Sequence, residues 1–98
     1  MLFMAYWELN SETDIKEIAK LAADLTRSGK FPIKGTKMIG WYNTPSIPSW
    51  GVTIWEADSE EAVFNGLLVW TKAMPGIFSC FKVSPALSAE KAIPLAFT

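Results

Sequence analysis

The chain has no histidine and only one cysteine, Cys80. The first absence removes imidazole acid–base chemistry and Ser–His or Cys–His nucleophiles. It also removes histidine ligation of haem. The second rules out an intrachain disulfide and suits a reducing compartment. A zinc or iron site would have only carboxylates and one thiol to draw on, with no Cys/His spacing. No metal and no cofactor are therefore expected. No apolar run approaches the ~20 residues that a membrane span needs. The nine Lys and Arg are scattered, and the net charge is −1. That leaves no electrostatic footprint for nucleic acid or an anionic membrane. Residues 1–7 are apolar but lack a basic leader and a small-residue cleavage site. They read as a first strand, and a cytoplasmic location is expected.

What is present is apolar and repetitive. Half of the 98 residues are apolar and 13% aromatic, including five Trp. This length makes one domain, which buries roughly 60–70% of its unfolded surface. Residues 1–86 form its core and 87–98 an apolar tail. Trp7-Glu8-Leu9-Asn10-Ser11-Glu12 returns 48 residues later as Trp55-Glu56-Ala57-Asp58-Ser59-Glu60. Each copy follows a strand-like run and precedes a helical pattern, which indicates two strand–helix–strand halves.

Residues 2–9 read as the first strand, with Phe3, Ala5, Trp7 and Leu9 on one face and Leu2, Met4, Tyr6 and Glu8 on the other. Asn10 or Ser11 is expected to cap a helix to about Thr26, with Ile15, Ile18, Leu21, Ala22 and Leu25 as its apolar stripe. Gly29 supplies the stop. Residues 37–43 form the second strand: Lys37, Ile39, Trp41 and Asn43 share one face, Met38, Gly40 and Tyr42 the other. Residues 49–57 form the third, with Gly51, Thr53, Trp55 and Ala57 opposite Trp50, Val52, Ile54 and Glu56. Asp58 is the expected cap of the second helix, whose broad apolar face carries Val63, Phe64, Leu67, Leu68 and Trp70. Gly66 inside it costs about 1 kcal/mol relative to Ala, which points to close packing there. Pro75-Gly76 ends that helix, and residues 77–83 form the fourth strand. The tail carries Ile93, Leu95, Ala96 and Phe97 and is too apolar to float, so it should lie on its own subunit or on a neighbour.

The order is βαββαβ, an α+β ferredoxin-like arrangement with antiparallel sheet order 4-1-3-2 and both helices on one side. Pseudo-twofold symmetry puts Trp7 and Trp55 on one face and Glu8 and Glu56 on the other. The face without helices, bearing Met4, Tyr6, Val52 and Ile54, would be an apolar patch in water. A second copy stacked on it, giving a homodimer, is the economical cover. The opening residues 1–7, Met38-Ile39-Gly40-Trp41 and the segment from Gly51 to Asp58 resemble an uncharacterised family of short bacterial and archaeal proteins. That resemblance implies a dimeric α+β barrel. The wider barrel group includes cofactor-free monooxygenases, polyketide cyclases, haem enzymes, isomerases and plain ligand binders.

Little conventional chemistry survives inspection. Gly35-x-x-x-x-Gly40 is followed by Trp41 and Tyr42 rather than Lys and Ser/Thr, so it is not a phosphate loop. Glu8 and Glu56 fall toward opposite ends of the sheet and read as hydrated strand ends or partners for Lys37 or Lys82. Cys80 reads as a small core residue. The aromatics remain, either as plain core or as the walls of a flat slot between sheet and helices. In the second reading Trp7, Trp41, Trp55, Phe64 and Trp70 line the slot, while Tyr42 and Asn43 orient a polar edge. Ala5, Gly51, Thr53 and Ala57 are small neighbours that leave room for it. Two function classes stay open: a binder of a small apolar or aromatic molecule, with monooxygenase- or cyclase-like catalysis as an extension, or a non-catalytic dimer with a fully packed core.

Overall fold

The computed structural model describes residues 1–97. Its elements are β1 (Leu2–Leu9), α1 (Ile15–Arg27), β2 (Thr36–Asn43), β3 (Trp50–Ala57), α2 (Glu60–Ala73), β4 (Phe78–Pro85) and α3 (Ala89–Leu95). The four strands form one antiparallel sheet in the order β2-β3-β1-β4, the expected order read from its other edge. The topology is α+β, βαββαβ, and consistent with a ferredoxin-like fold.

Strand alternation decides which side chains meet the helices. Phe3, Ala5, Trp7 and Leu9 of β1 are buried, as are Gly51, Thr53, Trp55 and Ala57 of β3. The two sets are in register, with Phe3 opposite Trp55, Ala5 opposite Thr53 and Trp7 opposite Gly51. Val63, Gly66, Leu67 and Trp70 of α2 close over this face. In β2 the pairing shifts between Met38 and Gly40. Ile39 is the extra residue of a bulge, so Met38 joins Trp41 and Asn43 on the helix face while Lys37 lies opposite Glu56. The simple alternation expected for β2 fails at that one residue.

Both helix starts lie further along than expected. Asn10 takes part in a turn instead of capping: its Oδ1 accepts from Glu12 N, and its carbonyl from Thr13 N and Oγ1. Asp14 caps α1, accepting from Lys16 N at 2.9 Å. Ser59, not Asp58, caps α2, accepting from Ala62 N at 3.1 Å. The helix stops are as expected, with Gly29 and Gly76 in the left-handed region at φ 77° and 83°. In the described part of the tail no side chain is buried. Its short helix α3 is exposed throughout, as are Leu87 and Phe97.

Ser59→Ala should destabilise the domain by about 1 kcal/mol, lowering its melting temperature by roughly 4–8 °C. Asp58→Ala should stay within about 0.5 kcal/mol of the parent. Thermal unfolding followed by circular dichroism compares the two, and the reverse ranking would place the cap at Asp58.

Candidate functional site

The helix stripes do not fill the space above the sheet equally. α2 is packed down, with Val63, Gly66, Leu67 and Trp70 buried and the Phe31 ring lying over Gly66. α1 is most firmly held at its C-terminal end, where Leu25 is buried and its carbonyl accepts from both Lys30 N and Phe31 N, while Ile18, Leu21 and Ala22 pack partly against the core. Toward its N-terminus the apolar stripe lifts away. Ile15 is 60% exposed, and Ile18 and Ala22 are half-buried.

The gap left under α1 is a cavity of about 260 Å³. Ile18 and Ala22 form its roof, Leu67 and Trp70 of α2 one wall, and Trp7, Trp41 and Thr53 its sheet side. Among the described residues no charged side chain lines it, and Asn43 and Thr53 are its only aliphatic polar ones. A wider cleft shares Leu9, Ile15 and Ile18 with it and runs between the turn at residues 10–14 and the loop at residues 44–49. That loop is held by its own hydroxyls: Ser49 Oγ donates to Thr44 O at 2.7 Å, and Ser46 Oγ to Pro48 O at 3.1 Å.

Four of the seven residues expected to form the slot line this cavity: Trp7, Trp41, Asn43 and Trp70. Trp55 does not. It is 2% exposed, lies edge-on to Phe31 at 5.5 Å between ring centroids, and belongs to the core. Tyr42 points to the opposite face of the sheet and is exposed, because β2 alternates and Trp41 faces the helices. Phe64 is displaced toward β4, where it meets Phe81 at 5.3 Å. Of the small residues expected beside the slot, only Thr53 lines the cavity. Ala5, Gly51 and Ala57 do not line the cavity. The room at Gly51 is filled by the Trp7 indole, since a Cβ there would fall 2.5 Å from Trp7 Cζ2 and from Tyr42 O.

Phe31 is the residue the sequence reading missed. It sits in the connection after α1, is buried, and stacks edge-on with Trp41, Trp55 and Trp70 at centroid distances of 5.9, 5.5 and 5.3 Å. Trp41 and Trp70 are perpendicular neighbours at 5.8 Å. Within this packing Trp41 Nε1 is sealed from solvent with no hydrogen-bond partner among the described residues. Trp55 Nε1, by contrast, donates to Thr53 Oγ1 at 2.8 Å.

Residues 1–97 match the family described as Domain of unknown function (DUF3303). The chain belongs to that family. No curated protein matches it. Among the described residues of this DUF3303 domain, no helix is long and apolar enough to cross a membrane.

The DUF3303 domain leaves the other face of its sheet without helices. Met4, Trp50 and Tyr42 are exposed there, with Tyr6, Val52 and Ile54 half-buried between them. Tyr6 packs on Trp50 at 5.8 Å, and Lys82 Nζ lies 5.2 Å from the Tyr6 ring centre. Cys80, expected in the core, is exposed on this face and donates its Sγ–H to Glu8 Oε2 at 2.7 Å. That hydrogen bond to Glu8, then desolvation, raises the thiol pKa, so Cys80 is a poor nucleophile at neutral pH. Burial, with Glu8 and Cys80 nearby, likewise raises the Tyr6 hydroxyl. Glu8 therefore meets Cys80 rather than a lysine. Glu56 takes the Met1 amino group at 2.6 Å, and the β1–β3 register keeps the two carboxylates at opposite ends of the sheet.

Proposed function

We propose that this domain binds a small, uncharged, largely apolar or aromatic molecule in the slot between sheet and helices, and that it does so as a homodimer joined through the open sheet face. The slot carries the reading. A fully packed layer would have α1 lying down on the sheet, whereas Ile18 and Ala22 instead roof a cavity of about 260 Å³. A dry apolar cavity of roughly 150 Å³ accommodates benzene, so this one suits a bicyclic molecule. Its lining has no titratable side chain, which favours binding over acid–base catalysis.

The dimer rests on a separate observation. Met4, Tyr6, Trp50, Val52 and Ile54 form an apolar face that no helix covers among the described residues. Patches of this kind mark interaction surfaces, and two sheets stack about 10 Å apart when their faces interdigitate. A dimeric α+β barrel results, and the exposed tail residues Leu87, Ile93 and Phe97 are then available to a neighbouring subunit. The single exposed thiol fits a reducing, cytoplasmic setting.

Indane, a bicyclic hydrocarbon, should bind the parent protein and quench or shift its tryptophan fluorescence. Ala22→Phe should fill the slot from α1, abolish indane binding and raise stability by about 0.5–2 kcal/mol. A parent that binds no indane, or a variant that binds it equally well, would contradict the slot. For the dimer, light scattering should give twice the chain mass at micromolar concentration. Ile54→Lys would bury an unpaired charge and should yield monomer or aggregate. A monomeric parent would exclude the barrel.

A further inference from the structure

Thr53 occupies the floor of the slot in a state of half-satisfaction. It is 3% exposed, the only polar residue of the buried core among those described. On the central strand β3 it lies between Ala5 of β1 and Trp41 of β2, facing the helices. A threonine hydroxyl has two lone pairs and one proton to place. Trp55 Nε1 donates to Oγ1 at 2.8 Å and so takes up one lone pair. Among the described residues Thr53 Oγ1 accepts this one hydrogen bond and donates none. Buried donors are almost always satisfied, and leaving one unmade is unfavourable. Here the same side chain lines the slot.

We propose that the Thr53 hydroxyl is the specificity-determining donor of the slot, and that its ligand is a neutral bicyclic-sized molecule carrying one uncharged hydrogen-bond acceptor, such as a ketone. This rests on the slot being a binding site. Trp55 acts as a positioning residue: by holding Oγ1 as an acceptor it leaves the proton for the cavity. The remaining walls set the rest of the class. Phe31, Leu67 and Ile18 offer apolar surface, Asn43 adds one amide and Trp41 one indole N–H unpaired among the described residues, and with no cation on the lining a carboxylate would lack a charged partner. A polyol would leave several hydroxyls without partners. An uncharged acceptor on an apolar frame is what the Thr53 hydroxyl and these walls suit.

The experiment compares 1-indanone with indane, which share a bicyclic frame and differ by the carbonyl. Dissociation constants are measured by tryptophan fluorescence for the parent, Thr53→Val and Thr53→Ser, and the carbonyl stretch of bound 1-indanone is read by infrared difference spectroscopy. The preference for 1-indanone over indane should fall about tenfold in Thr53→Val, the effect of one neutral hydrogen bond, and return in Thr53→Ser. The carbonyl stretch bound to the parent should lie below its value in hexane. If Thr53→Val does not fold, that stretch in the parent and its retention in Thr53→Ser decide the matter alone. An unchanged preference in Thr53→Val, or a hexane-like stretch in the parent, would overturn the assignment while leaving the slot standing. Binding of neither probe to the parent would overturn the slot itself, and this assignment with it.

Discussion

The edge-on packing of Phe31 against Trp41, Trp55 and Trp70 is the contact that ties the helix layer together, each such pair adding about 0.5–1.5 kcal/mol beyond buried area. The ring also lies over α2, at ordinary contact distance (3.6 Å) from where a Cβ on Gly66 would stand. Because Leu25 O holds the Phe31 backbone, the same contact pins the end of α1. Its beginning is held more loosely: Asn10 N donates to Ile77 O at 2.8 Å in the preceding turn, and Ile18 packs only partly against the core. The turn at residues 10–14 starts α1 late, and Ile15 remains mostly exposed. One fixed end and one raised end give the slot its wedge.

The two faces of the sheet then divide the work. The helix face holds a core in which Phe3, Trp55 and Val63 stand away from the cavity, while Trp7, Phe31, Leu67, Trp70 and Ile77 are both buried core and cavity wall. The open face carries aromatic and aliphatic side chains at its centre and Glu8, Lys82, Lys37 and Glu56 around them. Central apolar surface with a polar rim is the anatomy of a protein interface. The Cys80–Glu8 hydrogen bond sits in that rim and keeps the thiol protonated rather than reactive.

The sequence was most legible where period and repeat agree. Alternation along β1 and β3 placed Trp7 and Trp55 on one face, and the repeated Trp-Glu segment gave the strand–helix order. It was less legible where one residue changes the phase. The bulge at Ile39 moved Met38 across the sheet, and the Asn10 turn displaced the first helix cap to Asp14. The repeat itself hides this divergence: Ser59 caps α2, while its counterpart Ser11 precedes α1 by a turn. Phe31 carried no periodic signal at all, since it lies in a connection whose packing is purely tertiary. Thr53 was visible only as a small residue. Its role depends on an indole two positions along the same strand face, a contact that alternation allows but does not announce.

Ligand binding in the slot requires that the space under α1 persist in solution as an apolar cavity and not close onto the sheet. Xenon enters dry apolar cavities without needing any particular chemistry. A crystal of the protein pressurised with xenon should show the gas between α1 and the sheet, against Phe31, Leu67 and Trp70. Absence of xenon there, with Ile18 and Ala22 packed down onto Trp7 and Trp41, would contradict the account.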